Sequence, residues 1–418
     1  MKYLKLLYPG LGIKRWLFLA LFGMILISFG IMLFFYEGII KYFVILKINT
    51  GFFVLIIGIF SLLLGMIIVY YSIKKLISEI SVSERLTNGE IVDTLLEKKL
   101  LEKGPKVTVV GGGTGLSNLL RGLKKNSSNL SAIVTVADDG GSSGRLRDEL
   151  GILPPGDIRN CLVALAERES LMEQLFRYRF SREGHLVGHS FGNLFIASMT
   201  EVLGDFEDAI KESSKVLAIR GQVIPASNEN IKLGARYLDD TIKVGESIIP
   251  KPSKKIDEVF LKPEDCQATE DAIKAIRNAE ILVIGPGSLY TSILPNLLVN
   301  GIASELKKSD AVKIYVCNVM TQPGETDDYN ASDHVEAIEN HVGKGVFDYV
   351  IVNQEKGGEK LEKRYKEEGA FAVKVDNKLK GRGDIKVVSD NLLAEDGYIR
   401  HDPDSLANLI YEIAEKSL

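Results

Sequence analysis

The sequence predicts an α/β protein: a Rossmann-like, mostly parallel sheet with helices on both faces, preceded by a two-helix transmembrane hairpin. Three observations predict it. Two long uncharged apolar runs stand near the N-terminus, β-branched segments alternate with helical stripes from Lys106 onward, and several of those strands run straight into glycine-rich turns. The chain accordingly divides into an N-terminal stretch (1–15), a hairpin (16–71), a helical linker (72–104) and an α/β domain (105–418).

The hairpin rests on length and chemistry. Trp16 to Phe35 is an uncharged run of 20 residues and Gly51 to Tyr71 one of 21. At about 1.5 Å per residue, either helix crosses a hydrocarbon core of roughly 30 Å. Trp16, Tyr36, Tyr70 and Tyr71 stand at the ends, where interfacial aromatics belong. A cleaved signal fits poorly, because the first run is long, lacks an A-x-A-like exit and is followed by a second span. A buried core helix is the other alternative. Lys2, Lys5, Lys14 and Arg15 precede the first span and Lys74, Lys75 and Arg85 follow the second, whereas the connecting loop carries Lys41 and Lys47. That bias predicts a two-span cell-membrane protein with both ends, and so the large C-terminal domain, in the cytoplasm. In the linker, Thr87 and Glu90 have capping-box spacing, and Ile91, Val92, Leu95 and Leu96 recur at helical intervals before Gly104-Pro105.

Composition narrows the partners. Net charge is −4 with acids and bases interspersed, and no basic stripe appears, so nucleic acid is not an expected partner. Cys161, Cys266 and Cys317 are scattered and odd in number, which is no disulfide framework; they read as buried small hydrophobes.

In the α/β region, Lys106 to Val110 reads as the first strand and Leu116, Leu119, Leu120 and Leu123 as a helix stripe. Ala132 to Val136, Ile281 to Ile284, Lys313 to Val316 and Tyr349 to Val352 read as further strands. Ligands of such sheets bind beyond the carboxyl ends of the strands. There lies Gly111-Gly112-Gly113-Thr114-Gly115, where glycines between strand and helix let backbone N–H groups close on an anion. Leu116 departs from the dinucleotide fingerprint and the Walker Gly-Lys-Ser/Thr is absent, so neither common phosphate loop is present. After the second strand comes Asp138-Asp139-Gly140-Gly141-Ser142-Ser143-Gly144-Arg145. Its paired carboxylates suit a metal bridging phosphates or a ribose, and Arg145 and Arg147 suit phosphate oxygens. Gly285-Pro286-Gly287-Ser288 is a second candidate nest. Cys317 to Glu325, with Asn318, Thr321 and Gln322, is a polar turn fitted to base or sugar contacts.

Other motifs are less decisive. Pro154-Pro155-Gly156-Asp157 opens a helix, and Asp157 reads equally as its N-cap or as a ligand contact. Gly188-His189-Ser190-Phe191-Gly192 matches the nucleophile-elbow pattern, but Arg179 to Val187 is too polar to be the buried strand that elbow requires. Ser190 and Asn193 read better as ligands on a loop that caps a helix. His334 and His341 share a helix face without a third metal ligand, and His401 belongs to a polar cluster near the C-terminus.

Taken together, Gly111 to Gly115, Ala137 to Arg145, Pro154 to Arg159, Gly188 to Asn193 and Gly285 to Ser288 resemble the YvcK-like gluconeogenesis factor family, grouped with the CofD-like 2-phospho-L-lactate transferases. The resemblance covers Lys106 to Leu418. It implies a Rossmann-like core binding nucleotide sugars such as UDP-N-acetylglucosamine, and a role in cell shape and envelope synthesis during growth on gluconeogenic carbon. It further implies a metal and substrate site at Asp138 and Asp139, with Mg²⁺ as the candidate ion, and a nucleotide-sugar contact at Arg400-His401-Asp402. Members of that family are generally soluble, so the two spans depart from its pattern. The expectation is a membrane-anchored regulator that binds a nucleotide sugar, with a homo-oligomer and envelope-synthesis proteins as open partners. A Mg²⁺-dependent transferase is the alternative, and a serine hydrolase using Ser190 a remote one.

Overall fold

The computed structural model describes residues 13–40, 51–80, 98–167, 171–181, 183–251, 254–355, 357–395 and 398–417. The chain forms two compact units, Met1–Glu102 and Lys103–Leu418. The amphipathic helix expected between Thr87 and Leu96 lies outside the described residues.

In the first unit, helices α1 (Ile13–Ile40) and α2 (Gly51–Ile80) extend beyond the apolar runs into their polar flanks. Windows of mean hydropathy 2.4 (Arg15–Leu33) and 2.3 (Ile56–Lys75) are only 11% and 22% buried. Both helices are thus long and apolar enough to cross a membrane, and both turn most of that apolar surface outward. Glycines seven residues apart (Gly23 and Gly30; Gly58 and Gly65) let the two backbones touch. A Cβ on Gly30 would stand 2.8 Å from the Gly58 carbonyl oxygen, and one on Gly65 2.7 Å from that of Gly23. Close packing of small residues holds helices together where lipid offers no hydrophobic drive. The Ser61 hydroxyl donates to the Leu26 carbonyl at 2.8 Å, and Trp16 meets Tyr71 edge-on at 5.7 Å.

The second unit is built on a seven-stranded sheet. Its strands are β1 (Val107–Gly111), β2 (Leu130–Val134), β3 (Gln222–Pro225), β7 (Ile281–Ile284), β8 (Val312–Val316), β9 (Tyr349–Asn353) and β10 (Lys386–Asp390). The order is β10-β9-β8-β7-β1-β2-β3, and every neighbouring pair is parallel. The central strands read as unbroken apolar runs because helices cover both faces; every residue of β1 and β7 is buried. Helix α3 (Gly113–Leu123) packs between α5 (Gly156–Leu165) and the C-terminal helix Pro403–Glu415, with α4 (Gly141–Leu150) following β2. Between β3 and β7 the chain inserts a small antiparallel sheet of β5 (Ile242–Val244), β4 (Lys232–Tyr237) and β6 (Ile256–Lys262). A hairpin of β11 (Leu393–Glu395) and β12 (Ile399–His401) precedes the last helix.

This arrangement places the site. The chain lays β1, β2 and β3 outward in one direction, then returns to the other side of β1 and lays β7 to β10 outward in the opposite one. The connections leaving β1 and β7 therefore diverge, opening a crevice above their carboxyl ends.

Candidate functional site

At the end of β1, Gly112 is extended and Gly113 adopts φ +66°, a left-handed conformation that starts α3 without steric cost only for glycine. A Cβ at Gly115 would lie 2.6 Å from the Pro286 carbonyl oxygen, so the turns after β1 and β7 meet backbone to backbone. In the β7 turn, the Gly287 N–H donates to Asn318 Oδ1 at 3.2 Å and Gln322 Nε2 donates to Ser288 Oγ at 2.6 Å. Asn318 Nδ2 in turn donates to Gln322 Oε1 at 3.2 Å, which joins the β8 turn to the pair.

These three turns enclose a cavity of about 300 Å³. Of the residues singled out from sequence, Gly112, Gly113, Thr114, Gly115, Gly287, Ser288, Asn318, Gln322 and Arg400 line it together. Met320 belongs to the Cys317–Glu325 turn, whereas Asn118, Ser292, Tyr365 and Ile399 also line the cavity and no motif in the sequence marks them. Tyr365 arrives from the helix Glu359–Glu367, and its hydroxyl accepts from the Ile399 N–H at 3.2 Å. His401 also lines the cavity; it is buried, its Nε2 has no partner among the described residues, and desolvation pulls its pKa down to about 4. The imidazole is therefore neutral and sealed behind the cavity wall, while the His401 carbonyl accepts from Asn118 Nδ2 at 2.5 Å.

Asp157 sits beside the nest. The cap position of α5 is Pro155, without a side-chain cap, so Asp157 is not the cap the sequence reading had entertained. Its carboxylate instead accepts the Gly113 N–H at 2.7 Å, because the close approach of α5 to Gly112 brings it there. Burial raises its pKa to about 6 against the pull of that amide.

The loop after β2 is placed behind this point. Asp138 accepts from its own Gly140 N–H at 2.8 Å, and Asp139 accepts from the Ser247 N–H at 2.8 Å, tying the loop to the insert. Glu246, next to that contact, has its pKa raised to about 8 by burial and then by Asp138 and Asp139. Ser142 pairs with His189 Nδ1 at 2.9 Å and accepts from Asn193 Nδ2 at 3.1 Å. Arg145 donates to the Val187 carbonyl at 2.7 Å, and Ser143 abuts Gly156. Ser142 and Asn193 thus join each other, Asp138, Asp139 and Arg145 are held by backbone groups of Gly140, Ser247 and Val187, and none of these residues nor Ser143 lines the cavity. Gly111 and Gly285 end and follow their strands, and Thr321 holds the Phe371 N–H at 2.9 Å.

Among the described residues, no group of three or more His, Cys, Asp or Glu side chains is arranged to hold a metal ion. Asp138 and Asp139 each commit one oxygen to a backbone amide and keep another, which suits Mg²⁺ in its habit of taking one or two carboxylates and completing its shell with phosphates and water.

Ser190 is fully buried and caps the helix Phe191–Leu203, accepting from the Asn193 N–H and from Arg159. Its hydroxyl meets a guanidinium where an elbow serine needs a histidine, and an isolated bridge to Arg179 stands where the elbow needs a strand. His334 and His341 are packed on the helix Ala331–Val342, with His341 Nε2 accepting from the Val259 N–H at 2.9 Å.

A parallel sheet with an insert and a cavity at the switch point between neighbouring strand ends defines a doubly wound α/β protein. The family described as 2-phospho-L-lactate transferase CofD matches residues 107–393. Gluconeogenesis factors of Halalkalibacterium halodurans and Bacillus subtilis are 54% and 49% identical, over 74% and 75% of this chain and 97% and 99% of their own. The crystal structure of a UPF0052 family member from Bacillus halodurans superposes with a TM-score of 0.72 at 54% identity, covering 74% of this chain and 99% of that one. The chain belongs to the CofD family and, within it, to the YvcK-like gluconeogenesis factors. A relative from Clostridium acetobutylicum is 42% identical over 100% of this chain and 93% of its own, so the apolar N-terminal unit is shared with some relatives.

Proposed function

We propose that the protein is a membrane-anchored regulator that binds a nucleotide sugar of the UDP-N-acetylglucosamine class and supports cell shape and envelope synthesis. The observation that carries this reading is the convergence of the β1, β7 and β8 turns on one cavity. Backbone amides at Gly113 and Gly287 suit a diphosphate, and Asn318, Gln322 and Arg400 suit hydroxyls and a base. Both amides are held by side chains, Asp157 and Asn318, which an anionic ligand replaces. The two apolar helices support the anchor, and the flanking lysines and arginines support a cytoplasmic domain. Calorimetry of the detergent-solubilised chain with UDP-N-acetylglucosamine tests the binding; absence of saturable heat would refute it. Alkaline carbonate extraction of membranes tests the anchor, and cysteine labelling in the 41–50 loop tests the orientation.

A second reading, a Mg²⁺-dependent transferase resembling 2-phospho-L-lactate transferase, draws on the family match and on the carboxylates of Asp138 and Asp139 beside the nest. Ligand recovered unchanged after binding without Mg²⁺ favours the regulator. Turnover lost in Asp138→Asn favours the transferase.

A further inference from the structure

Beyond the nucleotide cavity, on the far side of the helix Glu359–Glu367, lies a larger cleft of about 580 Å³, within the range of about 300–1,000 Å³ common to ligand sites. Met320 is common to both cavities; Tyr365 faces the first, and Glu362 and Lys366 face the second. One wall of the cleft is the extended stretch from Ala370 to Val375. This stretch runs antiparallel to Val319–Thr321: the Thr321 N–H donates to the Phe371 carbonyl at 2.7 Å and the Val373 N–H to the Val319 carbonyl at 2.9 Å. Backbone groups alternate in direction along an extended chain, so those of Ala370, Ala372 and Lys374 point the other way. At the ends of this outer edge the Ala370 N–H reaches the Tyr365 carbonyl and the Lys374 carbonyl accepts from Ala331. Between them the Ala370 carbonyl, both polar groups of Ala372 and the Lys374 N–H have no partner among the described residues. Ala372 is exposed, as is Phe371.

We propose that this open edge binds an extended, acidic peptide segment of a partner protein by strand addition. An unpaired edge is a template for another strand, and its alternating donors and acceptors match a peptide backbone better than any compact metabolite. The window from residue 370 to 374 spans about 13 Å at roughly 3.3 Å per residue, room for some four residues of partner strand. The sign of the charge comes from the rim. The cleft is lined by Lys366, Lys374 and Lys380 against Glu355 and Glu362. Lys366 leans on Glu362 at 3.9 Å, while Lys374 and Lys380, on the strand side, make no ion pair among the described residues and are exposed, which leaves the rim net positive. Phe371, Val375 and Met320 offer apolar contacts between the lysines, so the preferred segment alternates acidic and apolar side chains.

The test is fluorescence anisotropy on the detergent-solubilised full chain with a labelled nonapeptide of alternating Glu and Val. Three controls accompany it: the same peptide N-methylated at alternate residues, a Lys-Val counterpart, and the Lys374→Glu/Lys380→Glu variant. The expected result is saturable binding of the Glu-Val peptide, weakened at least tenfold by N-methylation, by exchange of Glu for Lys and by the charge-reversed variant. Ala372→Pro, which removes one edge donor, weakens it similarly while a circular-dichroism melt reports the fold. No saturable binding, or equal binding by the N-methylated or Lys-Val peptide, overturns the proposal. Self-association abolished by Ala372→Pro overturns it in favour of a second copy of the chain.

Discussion

Gly115→Ala isolates the meeting of the β1 and β7 turns. The new Cβ would stand 2.6 Å from the Pro286 carbonyl oxygen and 2.9 Å from its carbon, about 0.8 Å inside ordinary contact, and both neighbours are backbone. Neither turn has slack, since Gly287 is tied to Asn318 and Gly113 to Asp157. Overpacking of this kind costs about 1–3 kcal/mol. If the strain is relieved by parting the turns, it reappears as a loss of ligand affinity of about 5- to 150-fold. Gly141→Ala is the contrasting control: its φ of +49° is left-handed, unlike that of helical Gly115, and nothing lies within 4 Å of the added carbon. It pays backbone strain of about 1 kcal/mol in stability and leaves affinity alone. Calorimetric titration with UDP-N-acetylglucosamine and urea unfolding of both variants give the two quantities. Gly115→Ala with wild-type affinity and stability would show that the turns do not touch and would refute the convergence.

Other expectations follow from particular contacts. Gly113→Val places a branched residue at φ +66° and lowers ligand affinity at least tenfold; unchanged titration heats count against the nest. Folded Glu246 holds its proton up to about pH 8 and the unfolded chain only to about 4.5, so its contribution to stability is full below about pH 4.5, falls progressively as pH rises from there, and is lost above about 8. Urea melts at pH 6 and pH 9 will therefore show a smaller decline in Glu246→Gln than in wild type. Arg382 bridges Glu339 in two bonds of 2.8 and 3.0 Å, with both side chains mostly buried. Arg382→Ala strands the carboxylate and costs about 2–4 kcal/mol in urea unfolding. In the membrane unit, Gly65→Ile drives a side chain into the Gly23 backbone and separates the helices, read as lost cross-linking between cysteines placed on α1 and α2.

The amino-acid sequence by itself determined much of the frame. Strands β1, β2, β7, β8 and β9 declare themselves because both their faces are buried, which leaves continuous β-branched runs. Their glycine exits were legible for the same local reason, since a left-handed or tightly approached backbone position leaves its mark in residue type. Strand β10, exposed along much of its length, and the insert's strands β4 to β6, whose polar and apolar residues mix, carry no such pattern and are not legible in the sequence; nor is the four-residue β3. Tertiary structure alone decided which turns share a cavity, because the strand order β7-β1 that joins them is a long-range pairing. It also turned Asp157 from a cap into a partner of Gly113, and it brought Tyr365 and His401 to the same wall. Contacts between residues hundreds of positions apart are set by packing, and no local spacing in the chain encodes them.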